Sequence, residues 1–281
     1  MTMSPIKFIS PKIGQCTLSR SASQLGSLPP IGYIYLGTVS YAKALAMQKQ
    51  LCRLRIDEIY AGPHHTRTPR EDRILADSLI LLEHSPVYTN GRRNHGVLSV
   101  EEIARLRKLG CDYVETNRGG EITFHGPGQL VAYPNLYLKD HHLGTKCYVK
   151  GLEHTIVEAC ARVGIDADVV DGFPGVWVSQ TQKVAALGTH VQKYVTSHGF
   201  ALNCTTDMKW FNEIVPCGLE GRSATSLANV VAKQGRTNID TSVSALLPTV
   251  IDSFKAVFGC DVLPLEEVSP KTYATIKQIL E

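Results

Sequence analysis

The sequence predicts an α/β (α+β) fold, a mixed β-sheet flanked by helices. Three observations predict it: short apolar runs fall in clusters, isolated stretches of helical apolar spacing separate the clusters, and no regular strand-helix-strand or internal repeat runs through the 281 residues.

The elements follow in chain order. Tyr33 to Leu36 is a short apolar run, after which Ala44, Met47, Leu51 and Leu54 recur at helical spacing, with Thr38 or Ser40 available as the cap. Residues 57 to 73 contain Gly62-Pro63-His64-His65 and many charges without period, the pattern of an exposed loop leading to the run Leu79 to Leu82. Strand-like runs then fall at Glu121 to His125, Leu130 to Tyr133, Val176 to Val178, Val184 to Leu187 and His198 to Leu202. Between them a helix carries Val149, Leu152, Ile156, Cys160 and Val163 on one face. Val243, Leu246, Leu247, Val250, Ile251, Phe254 and Val257 keep helical phase, with Pro248 kinking that helix or standing in its first turn. A last short helix runs from Pro270 to Leu280.

These elements make one domain, residues 31 to 281. Ahead of it no acidic residue precedes Asp57, while Lys7, Lys12 and Arg20 punctuate a Ser-rich start ending near Leu28-Pro29-Pro30. Residues 1 to 30 therefore read as a mitochondrial transit peptide, with a disordered tail as the alternative.

Composition excludes several classes. Hydrophobic residues make up 43% of the chain, enough for a sizeable core, yet no stretch approaches the roughly 20 apolar residues of a membrane span. The net charge is only +3 and no segment interleaves basic with aromatic residues, so nucleic acid is excluded as a partner. The eight cysteines show no CxxC pair and no regular spacing; they read as free thiols in a reducing compartment.

Two local patterns point to chemistry. Arg118-Gly119-Gly120-Glu121-Ile122-Thr123-Phe124-His125-Gly126-Pro127-Gly128-Gln129 surrounds an alternating strand with small or rigid residues, which lets backbone approach a ligand; a plain hairpin has the same composition. Pro216-Cys217-Gly218 follows Ile214-Val215 and precedes a helix expected to start near Ser223 to Ser226, whose dipole would acidify a nearby thiol. A thiolate needs a group to take or balance its proton, and His84, His125, His190, His198 and Lys183 are the candidates. Spacing does not choose among them. Histidine is the default, and lysine serves only where burial favours its neutral form.

The chain resembles the lipoyl(octanoyl) transferases from roughly Tyr33 to Val262. Five blocks in order carry the resemblance: Leu82-Glu83-His84-Ser85-Pro86-Val87-Tyr88-Thr89, Arg118 to Gln129, Lys183-Val184-Ala185-Ala186-Leu187-Gly188, Ser197-His198-Gly199-Phe200-Ala201-Leu202-Asn203, and Pro216-Cys217-Gly218. The resemblance implies that Cys217 carries an acyl thioester and that Lys183 lowers its pKa. Arg118, Gly119, Gly120, Glu121, Ile122, Thr123, Phe124 and His125 would bind the acyl substrate with Ala186, Leu187, Gly188, Gly199, Phe200 and Ala201, as walls of an apolar tunnel. His84 and His198 would support them. The implied fold is that of the catalytic module of lipoate and biotin protein ligases.

The implied reaction moves octanoyl from octanoyl-acyl carrier protein to a lysine of lipoyl domains, those of 2-oxoacid dehydrogenase E2 subunits and of glycine cleavage H protein. It implies no cofactor, no metal and a place in the mitochondrial matrix. Departures are modest: Glu121 stands where many relatives have Gln and Ala186 where many have Ser. The alternatives are an ATP-dependent lipoate-protein ligase, which needs no cysteine, and a non-catalytic binder of lipoyl domains.

Overall fold

The computed structural model describes residues 28–62, 66–214 and 221–281. Its first half holds β1 (Ile31–Val39), α1 (Tyr41–Ile59), β2 (Ser78–His84), β3 (Val87–Asn90), α2 (Val100–Lys108), β4 (Asp112–Glu115), β5 (Thr123–His125) and β6 (Gln129–Asn135). Then come α3 (Thr145–Arg162), β7 (Asp168–Val170), β8 (Phe173–Trp177), β9 (Gln182–Gln192) and β10 (Val195–Asn203). The last part holds β11 (Ser223–Ala224), α4 (Leu227–Lys233), α5 (Val243–Phe258), β12 (Val262–Pro264), α6 (Leu265–Val268) and α7 (Pro270–Leu280).

Among the described residues, nine strands make one sheet in the order β12-β1-β2-β6-β10-β9-β8-β7, with β11 added alongside β9. The sheet is mixed. β1 lies parallel to β12 and β2, whereas β2, β6, β10, β9, β8 and β7 run antiparallel to one another in turn. Strands β4-β3-β5 form a second, three-stranded sheet.

Period-two alternation sorts the strand side chains into two cores. Leu79, Leu81, Leu130, Ala132, Phe200 and Leu202 pack with Leu152 and Ile156 of α3 and with Leu246 and Phe254 of α5. Ile80, Leu82, Val131 and Ala201 form the other core with Ala44, Met47 and Leu51 of α1 and Ile276 of α7. A satellite core under the small sheet gathers Tyr88, Leu106, Ile122, Phe124 and Ile214.

Ser40 caps α1, its hydroxyl accepting the Lys43 N–H at 3.4 Å. Leu54, expected inward, is 38% exposed; the helical phase instead turns Arg55 into the protein, where it pairs with Asp77. Residues 57 to 59 extend α1, residues 70 to 72 form a 3₁₀ turn, and His64 and His65 lie outside the described residues. Pro248 stands neither at a terminus nor in the first turn: α5 starts at Val243, so the ring falls in the second turn and leaves the Ser244 carbonyl without its helical donor. Cys147 is disulfide-bonded, which corrects the free-thiol reading for that residue, while Cys52, Cys111, Cys160, Cys204 and Cys260 are free and buried. The expected leader, residues 1 to 27 of it, lies outside the described residues.

Candidate active site

A cavity of about 260 Å³ draws its walls from both sheets. Strand β9 contributes Ala186, Leu187 and Gly188, and β10 contributes His198, Gly199, Phe200 and Ala201. The ladder sets Gly188 opposite Gly199, and Leu187 opposite Phe200. The facing wall is Arg118 and Gly120 to Thr123 with His125.

Two residues of that segment face elsewhere. Alternation along β5 sends Thr123 and His125 to the cavity and Phe124 the other way, where it stacks on Trp210 at 5.3 Å between centroids. Gly119 is a tie between sheets, its N–H donating to the Thr189 carbonyl of β9 at 3.0 Å. The Arg118 guanidinium knots the same turn to β3, donating to the Thr89 carbonyl at 2.7 Å, the Thr89 hydroxyl at 2.8 Å and the Glu121 carbonyl at 2.9 Å.

The lining is mainly apolar, with polar groups set into it. Beside Ile122, Leu187 and Phe200 stand Tyr41, Gln129, Tyr133 and Asn203; Gln129 and Asn203 close two of the five blocks, but none of the four was among the expected site residues. Tyr41 stacks on His125 with ring centroids 5.7 Å apart, and Gln129 Oε1 accepts from His125 Nδ1 at 2.7 Å. His84 lies behind this wall rather than in it. Its Nδ1 donates to the Val39 carbonyl at 2.7 Å, which leaves Nε2 to accept the Tyr133 hydroxyl at 2.7 Å.

Electrostatics exclude these imidazoles as strong bases. Burial pushes His84 down to about 4 against a weaker opposing hydrogen bond to Val39, and pushes His198 down to about 3 with help from Arg118. His125 lies well below its ordinary value, mainly through burial and then through His84 and Arg118. All three are neutral near pH 7. His198 further adopts φ +54 inside a strand, its N–H held by Gln48 Oε1 at 2.6 Å. His190, on β9, is half-buried and does not line the cavity.

Lys183 joins the cavity at the far end of β9 from His198. His198 pairs with Thr189, so six residues of strand separate the two levels, roughly 20 Å. The Lys183 Nζ sits 4.7 Å from the centroid of the Trp177 ring. Arg222 closes the same end, its guanidinium 3.3 Å from the Phe173 centroid and 5.4 Å from that of Trp177. Phe173, Trp177 and Arg222 were not foreseen; the Gly172-Phe173-Pro174-Gly175 string was the one available sign that backbone there adopts an unusual path.

Cys217 lies outside the described residues, in the stretch 215–220. The helix expected just after it begins at Leu227, with β11 intervening, so sequence adjacency supplies no dipole argument for the thiol. Among the described residues no group of three or more His, Cys, Asp or Glu could hold a metal ion, and no helix is long and apolar enough to cross a membrane.

Residues 40–254 match the family model of the lipoyl protein ligase A/B catalytic domain. The chain is 40% identical over 227 residues to the mitochondrial octanoyl-acyl-carrier-protein:protein N-octanoyltransferase of Danio rerio, covering 81% of this chain and 92% of that protein. It is 38% identical to the enzyme of the same name from Homo sapiens, over 84% of this chain and 96% of that one. It is 42% identical to the octanoyltransferase of Solibacter usitatus, over 82% and 93%. In fold it is similar to lipoate-protein ligase A bound with ATP, with a TM-score of 0.63 at 13% identity over 89% of this chain and 94% of that one. A bipartite lipoate protein ligase of Thermoplasma acidophilum gives 0.61 at 14% identity over 90% and 92%.

Proposed function

We propose, for a chain that belongs to the lipoyl protein ligase A/B catalytic family and to its octanoyltransferases, an acyl transfer from octanoyl-acyl carrier protein to a lysine of a lipoyl domain through a thioester on Cys217. The chain is an acyltransferase. Residues 31 to 281 would form its catalytic domain and residues 1 to 30 a leader to the mitochondrial matrix; several relatives are named mitochondrial.

The observation that carries the reading is the convergence of four separate segments, Arg118–His125, Lys183, Ala186–Gly188 and Gly199–Ala201, on one cavity. In the first step the Cys217 thiolate attacks the acyl carbonyl, the carrier sulfur leaves, and the Lys183 ammonium gives that sulfur its proton. In the second, the acceptor lysine amine attacks the Cys217 thioester, Lys183 takes a proton from the attacking nitrogen, and the thiolate is regenerated. Lysine fits this role better than the histidines, whose neutral rings hold a proton too weakly. The cavity between the β9-β10 segment and the Arg118–His125 wall would take the acyl chain, each buried methylene contributing about 0.8 kcal/mol. E2 subunits and glycine cleavage H protein are the acceptors this chemistry would serve.

The test is direct. Mixed with octanoyl-acyl carrier protein and no ATP, the protein gains the mass of one octanoyl group on Cys217, and Cys217→Ala or Cys217→Ser gains none. The fold likeness to an ATP-bound ligase supplies the competing reading: transfer from free octanoate that demands ATP and survives Cys217→Ala would establish it in place of ours.

A further inference from the structure

We propose that Trp177 is the positioning residue of Lys183: the indole face receives the ammonium and fixes the direction from which it meets the reacting thioester. The inference rests on the dyad reading above.

A lysine side chain has four rotatable bonds, and a proton donor that wanders through their rotamers loses the benefit of orientation. Three features restrict Lys183. First, its backbone is held on both sides. Ala224 of β11 pairs with it, the Thr225 N–H donates to its carbonyl at 2.8 Å, and Trp177 of β8 stands opposite. That last pairing exists because the β8-β9 register shifts between Val176 and Trp177, since Val176 pairs with Ala185.

Second, the side chain has a prepared path. Gly175 adopts φ +123, and a Cβ there would lie 3.1 Å from Lys183 Cδ and 3.2 Å from Cε. The lysine methylenes run over the bare Cα of that glycine.

Third, the path ends on a buried, hydrogen-bonded ring. Trp177 is 1% exposed, its Nε1–H donates to the Phe173 carbonyl at 3.0 Å, and Lys183 Nζ sits 4.7 Å from its centroid. At that distance the negative face of the ring attracts an ammonium and not a neutral amine. Among the described residues, the charged groups at this corner include Arg222, 5.4 Å from the same centroid, and Glu153 of α3, whose carboxylate accepts the Gly175 N–H at 3.2 Å.

The experiment replaces Trp177 by tryptophans carrying one, two and three ring fluorines in a Trp210→Phe background, which leaves position 177 as the single indole. Fluorine drains charge from the ring face with little change of shape, so packing is kept. The expected result is a stepwise fall in kcat for octanoyl transfer, roughly tenfold across the series, with KM for the carrier unchanged. The same series in a Lys183→Met background is flat, because the partner of the ring is gone. A kcat indifferent to fluorination, in a protein that still forms the ATP-independent adduct on Cys217, overturns the inference alone. Absence of that adduct in the unmodified protein overturns the dyad reading and this inference with it.

Discussion

Lys183 and His198 stand at opposite ends of one slot and differ in what they can do. The ring of His198 is buried, its Nδ1 has no hydrogen-bond partner among the described residues, and burial takes it down to about 3, so near pH 7 it is neutral and does not accept a proton readily. A proton carrier must therefore sit elsewhere, and Lys183→Arg tests whether it does. Arginine keeps the positive charge but cannot release a proton, so acylation and transfer rates should drop by about 100-fold or more while the folding midpoint stays within about 0.5 kcal/mol of wild type. Stopped-flow acylation and urea titration of the same variant separate the two effects. Full activity in Lys183→Arg removes the base. At this scale the sequence spoke through motifs: Lys183 was distinguishable from other lysines only through resemblance. Tyr41, Trp177 and Phe173 were invisible because a buried aromatic in the core and one lining a slot carry the same apolar signature.

Strands β9 and β10 work as a pair. They meet through Lys193 and Tyr194, both at positive φ, 46 and 64, the backbone of a tight hairpin turn made without glycine. Within the pair, Gly199 looks like a device for slot width, but its other neighbour decides its identity. A Cβ there would collide with the Ala132 carbonyl of β6 and lie 2.7 Å from the Pro134 ring. Neither backbone nor proline ring can give way, so Gly199→Ala should cost about 1–3 kcal/mol through strain, seen as a lower urea midpoint with unchanged slope. A variant as stable as wild type but altered in acyl-length preference would return the residue to the slot. Strands β2, β6 and β10 at the centre of the sheet were legible as apolar runs because both of their faces are buried. The helix α2 and strand β4 were not: α2 is nine residues long and buries Leu106 alone, although Val100, Ile103 and Leu106 keep helical spacing, and β4 is four residues long with none buried.

Across the whole molecule, stability should respond to acid in two windows. His84, His125 and His198 are buried and neutral, so below their ordinary value of about 6.5 the unfolded chain gains protons the folded one refuses. Stability is complete above that value and is lost as pH falls toward about 4 for His84 and about 3 for His198. Each contributes a slope of up to about 1.4 kcal/mol per pH unit. Asparagine tolerates the positive φ of His198, so His198→Asn should flatten urea midpoints measured from pH 8 to 5 by about one proton's worth. An unchanged slope would show that the ring already takes a proton in the native state.

The second window belongs to Asp77. Burial opposes its charge, but Arg55, His141 and the Tyr137 N–H overcome that and hold the carboxyl well below the ordinary range. A depressed carboxyl stabilises the fold above about pH 4 and loses its contribution only as pH drops further. Asp77→Asn should cost about 3–5 kcal/mol at neutral pH, because the Arg55 charge is left buried without its partner, and should abolish the acid loss below pH 4. A variant within 1 kcal/mol of wild type would count against a strongly coupled pair.

The slot takes its walls from residues as far apart as Tyr41 and Ala224, joined through pairings of β6 with β10 and of β10 with β9. No ribosome-bound nascent fragment ending at β6 possesses it, and no proteolytic piece lacking either half would retain it. A ligand filling this slot would therefore stabilise the fold as a whole against denaturant rather than any one part of it.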